Sequence, residues 1–151
     1  MTIKFGTISR GTLRTEDLLE AFADELDYQV SHGAAVDAEH GDSLRKLAAE
    51  ARAVDPEHED ADELVNELQD ALHELAPSYA YFGASEGDRS DFGFWPSIDT
   101  IEDAVRDGEV TKVNAGDELA EDGEYMIVTD HGNVTYGYVQ DGTFHEVWSC
   151  V

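Results

Sequence analysis

Basic residues are scarce in this sequence. Nine lysines and arginines stand against 35 aspartates and glutamates in 151 residues, which gives a formal net charge of −26. A protein that binds nucleic acid directly presents a basic stripe, so this scarcity argues against nucleic acid as a direct partner. A small domain usually carries a net charge of about 2 to 8 in magnitude. The excess of acid therefore needs a cause.

Cysteines and long apolar runs are also lacking. The single cysteine, Cys150, has no second cysteine with which to form a disulfide or a paired-cysteine metal site. No 18 consecutive residues are apolar, and no basic region followed by an apolar run marks a signal peptide. We therefore expect no membrane span, and we expect a soluble protein of the cytoplasm.

Apolar residues are nevertheless numerous enough for a core. They make up 41% of the chain, and a chain of about 150 residues buries roughly two thirds of its unfolded surface on folding. No linker or internal repeat divides the sequence. We expect a single domain over residues 1–151.

Three segments of the N-terminal half repeat apolar residues at helical spacing. They cover residues 15–30, 43–54 and 61–76, and Thr15 is the expected N-cap of the first. The expected buried stripes are Leu18, Leu19, Phe22 and Leu26 in the first helix, Leu44, Leu47, Ala48 and Ala51 in the second, and Leu64, Leu68, Leu72 and Leu75 in the third.

After Pro77 the sequence turns to β-branched and aromatic residues separated by turn signals. Strands are expected in SYAYFG, DFGFW, EVTKV, EYMIVT, VTYGYV and TFHEVWSCV, and a helix in SIDTIEDAVRDG. The predicted class is α+β, with N-terminal helices packed on a mostly antiparallel C-terminal sheet that has one inserted helix. Its aromatic core is expected at Tyr79, Tyr81, Phe82, Phe92, Phe94 and Trp95.

The third helix carries the densest charge. Four acids recur on the side opposite its leucines, and we call them the acidic ridge: Glu63, Glu67, Asp70 and Glu74. They span about 16 Å at ~1.5 Å per residue, or one charge every 4 to 5 Å, against ~3.4 Å per charge along one DNA strand. No cation lies between Arg52 and Arg89. Such a row can compete for a basic groove that binds nucleic acid, although a charged face is also ordinary for an exposed helix.

Other acids extend this candidate surface. Asp60 and Asp62 precede the ridge, and Glu86 and Asp88 lie at the tip of the loop between the two aromatic strands. The predicted partner-binding residues are therefore Asp60, Asp62, the ridge, Glu86 and Asp88. An alternative is that Glu86, Asp88 and Asp91 hold Mg²⁺ or Ca²⁺ in a small metal-dependent enzyme, but their spacing matches no calcium loop, and we expect no metal, cofactor or catalytic residue.

No catalytic motif supports an enzyme. The six histidines have no partner at the spacing of HExxH or of a His–Cys cluster. The expected protein is non-enzymatic. A second explanation of its acidity is salt adaptation, in which an acid-rich, lysine-poor surface serves solubility in concentrated salt and no partner is imitated.

Three stretches carry a resemblance to a known group of proteins. FGTISRGTLRTEDLLEAFADEL, YAYFGASEGDRSDFGFWPSIDTIEDAVRDGEVTKV and MIVTDHGNVTYGYV resemble a widespread family of small acidic bacteriophage and prophage proteins that have no assigned activity. The resemblance is poorest from Ser31 to Asp62. It implies an accessory phage product in the cytoplasm of the host cell.

Small acidic phage proteins often imitate nucleic acid in charge and block host defence. By analogy, we expect an inhibitor of a basic, nucleic-acid-binding host complex such as a restriction enzyme or a CRISPR effector. This expectation rests on context and charge, since fold and charge alone do not define a function.

Overall fold

The computed structural model describes residues 5–119 and 121–150. In this part of the chain seven strands and four helices alternate in the order β1, α1, α2, α3, β2, β3, α4, β4, β5, β6, β7. The chain forms two compact units. The first comprises residues 6–76 and 82–95, and the second comprises residue 5, residues 77–81 and residues 96–150. The single-domain assignment stays a prediction.

The first unit holds three helices and most of a three-stranded sheet. Its helices are α1 (Thr15–Ser31), α2 (Ala38–Ala53) and α3 (Ala61–Glu74). Strands β1 (Gly6–Ser9), β2 (Ala80–Ala84) and β3 (Phe92–Pro96) form a sheet in the order β1-β3-β2. Strand β1, which the sequence did not predict, pairs antiparallel with β3.

Helix α1 is central to this unit. Its predicted stripe is confirmed, because Leu18, Leu19, Phe22 and Leu26 are all buried. The ring of Phe22 meets those of Phe82 and Phe92 edge to face, with centroids 5.2 and 5.3 Å apart. Aromatic pairs favour this arrangement. The sheet thus packs on α1 through a cluster of phenylalanines.

Two helix starts differ from expectation. Arg14 holds the N-cap position of α1, and Thr15 is its first helical residue. Helix α2 begins at Ala38, five residues before the predicted Ser43, because the carboxylate of Asp37 accepts the His40 amide at 2.8 Å and caps it. The predicted loop at residues 38–42 was wrong.

The predicted aromatic core is divided between the two units. Phe82, Phe92 and Phe94 are buried in the first. Trp95 is half-buried and donates its indole N–H to the Gly83 carbonyl at 2.9 Å. A Cβ atom on Gly93 would overlap the carbonyl oxygen of Gly6, so a glycine is required where these two strands approach closely.

The second unit is a four-stranded sheet with one helix. Strands β4 (Val110–Asn114), β5 (Gly123–Val128), β6 (Val134–Gln140) and β7 (Thr143–Cys150) lie in that order, and α4 spans Ile98–Arg106. Strands β4 and β5 are parallel and the other pairs antiparallel. The α+β class and the mostly antiparallel C-terminal sheet are confirmed, although the strands form two sheets.

The core of the second unit lies between α4 and this sheet. Ile101 and Ala104 of α4 pack with Met126, Tyr136 and Trp148. Trp148 is 1% exposed and donates its indole N–H to the Ser78 carbonyl at 2.9 Å. A two-residue turn at Asp141 and Gly142 joins β6 to β7, since φ is positive at both residues (54° and 78°) and Gln140 pairs with Thr143.

Candidate partner-binding surface

The acidic ridge forms as a continuous exposed face of α3. Glu63, Glu67, Asp70 and Glu74 all lie within the helix, and all four are exposed. At about 100° per residue they fall within roughly 60° of one another around the helix axis. The face opposite is packed against the rest of the unit, with Ala61, Leu68 and Leu72 at 0% exposure. The four carboxylates thus project to one side of a well-anchored helix.

The ridge acids are not neutralised by ion pairs. In residues 5–119 and 121–150 none of the four lies within 4.0 Å of a lysine, arginine or histidine nitrogen. By contrast, Arg52 of α2 binds Asp24 at 2.8 Å and Asp27 at 2.5 Å, both on α1. These hydrogen bonds raise the pKa of Arg52. No ion pair therefore offsets the charge of the ridge in this part of the chain, whereas Arg52 offsets part of the charge of Asp24 and Asp27 on α1.

Helix α2 contributes neighbours that the sequence did not reveal. An open groove of about 480 Å³ lies beside the ridge, and Lys46 and Glu50 of α2 line it together with Glu67, Asp70 and Glu74. Lys46 is the one cation in the described lining of this groove, and it is exposed. It faces four acids there, so this edge of the ridge is also net negative.

The two acids upstream of the ridge are placed differently from it. Asp62 is about 100° from the ridge around the helix, and its carboxylate accepts the Thr15 hydroxyl of α1 at 2.7 Å. Asp60 is at the N-cap of α3, 3.6 Å from the ring of His58. Both are exposed. They add charge near the N-terminus of α3 but do not extend the row along its axis.

The loop acids are held by local bonds. Asp88 accepts the backbone amide of Ser90 at 3.0 Å and its hydroxyl at 2.8 Å. These bonds, and to a smaller extent the charge of Arg10, lower the pKa of Asp88. Glu86 is exposed at the same tip. Asp88 is thus a turn-forming residue near Arg10.

The metal alternative gains no geometric support. Within residues 5–119 and 121–150 no three His, Cys, Asp or Glu side chains are grouped in a way that could hold a metal ion. Glu86, Asp88 and Asp91 therefore do not form a ligand set there. One oxygen of Asp91 is buried without a hydrogen-bond partner in the described structure, but its neighbours in the loop do not supply the other carboxylates that Mg²⁺ or Ca²⁺ requires.

A second acidic row was missed in the sequence. Glu16, Glu20, Asp24 and Asp27 recur every three or four residues on α1, and the first three are exposed. The spacing is the same as that of the ridge and could have identified them. Arg14 pairs with Glu16, and Arg52 pairs with the two aspartates. Since three of the four acids are paired, this row is less negative than α3.

One histidine connects the ridge helix to the sheet. Nδ1 of His73, between Asp70 and Glu74 in sequence, accepts the backbone N–H of Phe82 in β2 at 3.2 Å. This bond requires Nδ1 to be unprotonated. His73 is therefore a structural link rather than a free acid or base.

The second unit holds a polar pair of its own. The Tyr136 hydroxyl donates to Glu124, and burial together with this bond raises the pKa of Tyr136. Tyr79 packs edge to face on Tyr136 with centroids 5.0 Å apart and has a φ of 61°. A phenol held neutral next to a carboxylate satisfies a buried hydroxyl, and we assign it a structural role.

Comparisons with protein-family models, with curated proteins and with solved structures give no match. The resemblance to phage and prophage proteins stays a prediction. Among the described residues no helix has the length and apolar character needed to cross a membrane.

Proposed function

We propose that this chain is a non-enzymatic binding protein that occupies the nucleic-acid-binding surface of a basic partner through the acidic ridge. The observation that carries the proposal is the exposed row of four carboxylates on one face of α3, none of them ion-paired among the described residues. The partner we propose is a host defence complex of the restriction or CRISPR type.

The charge of the first unit supports this proposal. Residues 15–76 contain 19 acidic and three basic side chains, a net charge of −16 out of −26 for the chain. The ridge places one carboxylate about every 5 Å along the helix, compared with ~3.4 Å between phosphates of one strand. A basic groove that neutralises these carboxylates releases its bound anions, as it does when it binds DNA, so association is expected to be fast and salt-sensitive.

We place the partner's contact on the outer edge of α3. Lys46 lines the other edge, and its positive charge opposes a basic groove there. The acids Asp60 and Asp62 lie at the N-terminal end of the same helix and would extend the contact. Glu86 and Asp88, at the tip of the loop between β2 and β3, would form a separate contact.

The test is a matched pair of charge reversals. One variant replaces the ridge with lysines, and a control replaces four exposed acids of the second unit with lysines: Glu118, Glu121, Asp130 and Glu146. Each changes the net charge from −26 to −18. Immobilised proteins are incubated with host lysate at two salt concentrations, and bound proteins are eluted with duplex DNA and identified by mass spectrometry.

We expect the wild type and the control to retain DNA-binding proteins that duplex DNA displaces, and the ridge variant to lose them. Purified captured protein should then cleave or bind its DNA less well in the presence of the wild type but not of the ridge variant. Equal capture by the ridge variant and the control would contradict the proposal.

Salt adaptation is the second candidate function. The acidic row of α1 favours it, because this row shows that carboxylates are not confined to one face of the protein. A salt-adapted domain should unfold below physiological salt, where self-repulsion is unscreened, and should bind no basic partner. Thermal melts from low to high ionic strength decide the matter. A melting temperature that stays flat eliminates salt adaptation.

A further inference from the structure

A groove distinct from the acidic ridge lies between α1 and β1. It has a volume of about 580 Å³, and its walls are Thr7 and Ile8 of β1 and the face of α1 from Asp17 to Tyr28. Eleven residues of helix correspond to about 16 Å, which is the length of about five residues of extended chain at ~3.4 Å each. The helix wall is thus long enough to lie along about five residues of an extended segment.

One wall of this groove is an open sheet edge. Strand β1 is at the end of the order β1-β3-β2, and β3 is its only partner strand in the described part of the chain. An edge strand presents unpaired N–H and C=O groups along its outer side. The pairing with β3 shifts register between Thr7 and Ser9, so the bulged Ile8 contributes its side chain to the groove.

The other wall is rich in hydrogen-bond acceptors. Asp17, Glu20, Asp24 and Glu25 line it, and no lysine or arginine among the described residues does. Asp24 shares Arg52 with Asp27, and Asp17 accepts the Thr12 hydroxyl at 2.7 Å. Glu20 is exposed and has no ion pair among the described residues. The wall therefore retains unneutralised carboxylate.

A hydrogen bond from a buried amide holds the Glu25 carboxylate in place. Glu25 is half-buried, and Gln29, which is only 3% exposed, donates to its carboxylate at 2.7 Å. Burial raises the pKa of Glu25. The amide oxygen of Gln29 is buried and has no donor within the described structure. A buried amide thus fixes this carboxylate at the groove.

We propose that this groove binds an extended segment of another protein, rich in arginine or lysine, that adds to β1 as a fourth strand. Strand addition supplies backbone bonds, and pockets for alternate side chains supply specificity. Alternate residues of a strand lie about 6.8 Å apart, close to the ~6 Å rise from Glu20 to Asp24. At the far end Tyr28 is 54% exposed, and its ring stacks on that of His32 with centroids 4.0 Å apart. A guanidinium stacks on an exposed aromatic face of this kind.

The probe is a fluorescein-labelled octapeptide of alternating arginine and threonine, and its binding is measured by fluorescence anisotropy. The groove variant is Glu20→Gln with Glu25→Gln, which keeps an acceptor for Gln29. The matched control is Glu118→Gln with Glu146→Gln, which removes the same charge from exposed acids of the second unit. Circular dichroism verifies that both variants fold.

We expect the groove variant to bind the peptide about tenfold more weakly than the wild type, and the control to change the affinity less than about twofold. A peptide with N-methyl groups on alternate backbone nitrogens should bind several-fold more weakly to the wild type, because it cannot complete the ladder. The amide resonances of Thr7 and Ile8 should shift on titration of the unmethylated peptide.

Two results would overturn the inference. Equal losses in the groove variant and the control would show attraction to the acidic protein as a whole, and equal binding of the methylated peptide would exclude strand addition. The ridge is intact in the groove variant, so these outcomes leave the proposed function of α3 unaffected. Loss of partner capture in the ridge variant alone would, in turn, not affect the groove.

Discussion

Replacement of Phe22 by alanine should be the most damaging single change in the first unit. Its side chain is 0% exposed and meets the rings of Phe82 and Phe92 edge to face. Truncation of a buried phenylalanine costs about 3–5 kcal/mol because transfer energy is lost and a cavity remains. Since whole domains are stabilised by only about 5–15 kcal/mol, this change should remove a large part of the stability.

The measurement is urea unfolding followed by tryptophan fluorescence. Trp95 belongs to the first unit and Trp148 to the second, so a Trp148→Phe background leaves one reporter for the three helices. Phe22→Leu, which keeps most of the volume, should cost less, about 1–3 kcal/mol, mainly through the two aromatic pairs at ~0.5–1.5 kcal/mol each. A loss below about 1 kcal/mol for Phe22→Ala would refute this account of the core.

Three further predictions follow from single contacts. Gly93→Ala should lower the free energy of unfolding by about 1–3 kcal/mol because its Cβ overlaps the Gly6 carbonyl oxygen; an unchanged urea midpoint would contradict this. The pKa of Tyr136 is raised in the fold. Its contribution to stability is therefore complete below the ordinary tyrosine pKa of about 10 and is lost above that value, as the unfolded state ionises. Between pH 9 and pH 11 the melting temperature should fall less steeply in Tyr136→Phe than in the wild type. The pKa of Glu25 is also raised, because burial disfavours its charged form. The stabilising effect of the protonated form is lost as the pH rises. Glu25→Gln should therefore have a higher melting temperature than the wild type at pH 7 but not at pH 4.

The sequence predicts elements best where large apolar residues alone define a face. The stripe of α1 is correct in all four positions. In α3 the buried face is centred on Ala61, Val65 and Ala71 as well as on Leu68 and Leu72, whereas Leu64 and Leu75 are half-buried. Small residues at a helix contact allow close approach, and a prediction that weights size overlooks them.

Pairing between strands that lie far apart in the chain could not be predicted from the sequence. Strand β1 has four residues and pairs with β3, more than 80 residues later, so nothing local marks it as a strand. The parallel β4–β5 pair likewise depends on how residues 115–122 connect the two strands. Neither length nor alternation within a segment specifies such a partner.

The candidate partner-binding surface could likewise be predicted only in part from the sequence. The acidic ridge follows from spacing along one helix, and the structure places its four acids on one exposed face. The positions of Lys46, Glu50 and Asp62 depend on how α3 packs against α2 and α1, which periodicity does not fix. The groove at β1 depends on a strand that the sequence did not reveal.

The bond between His73 and Phe82 gives the protein an internal reporter. His73 lies on α3, the helix that carries the ridge. It accepts the backbone N–H of Phe82 in β2, and the ring of Phe82 contacts Phe22 of α1. A partner that displaces or tilts α3 must change the length of this bond. The backbone amide resonance of Phe82, which lies outside the ridge, would then report that a partner occupies the ridge. No label on the binding surface would be needed.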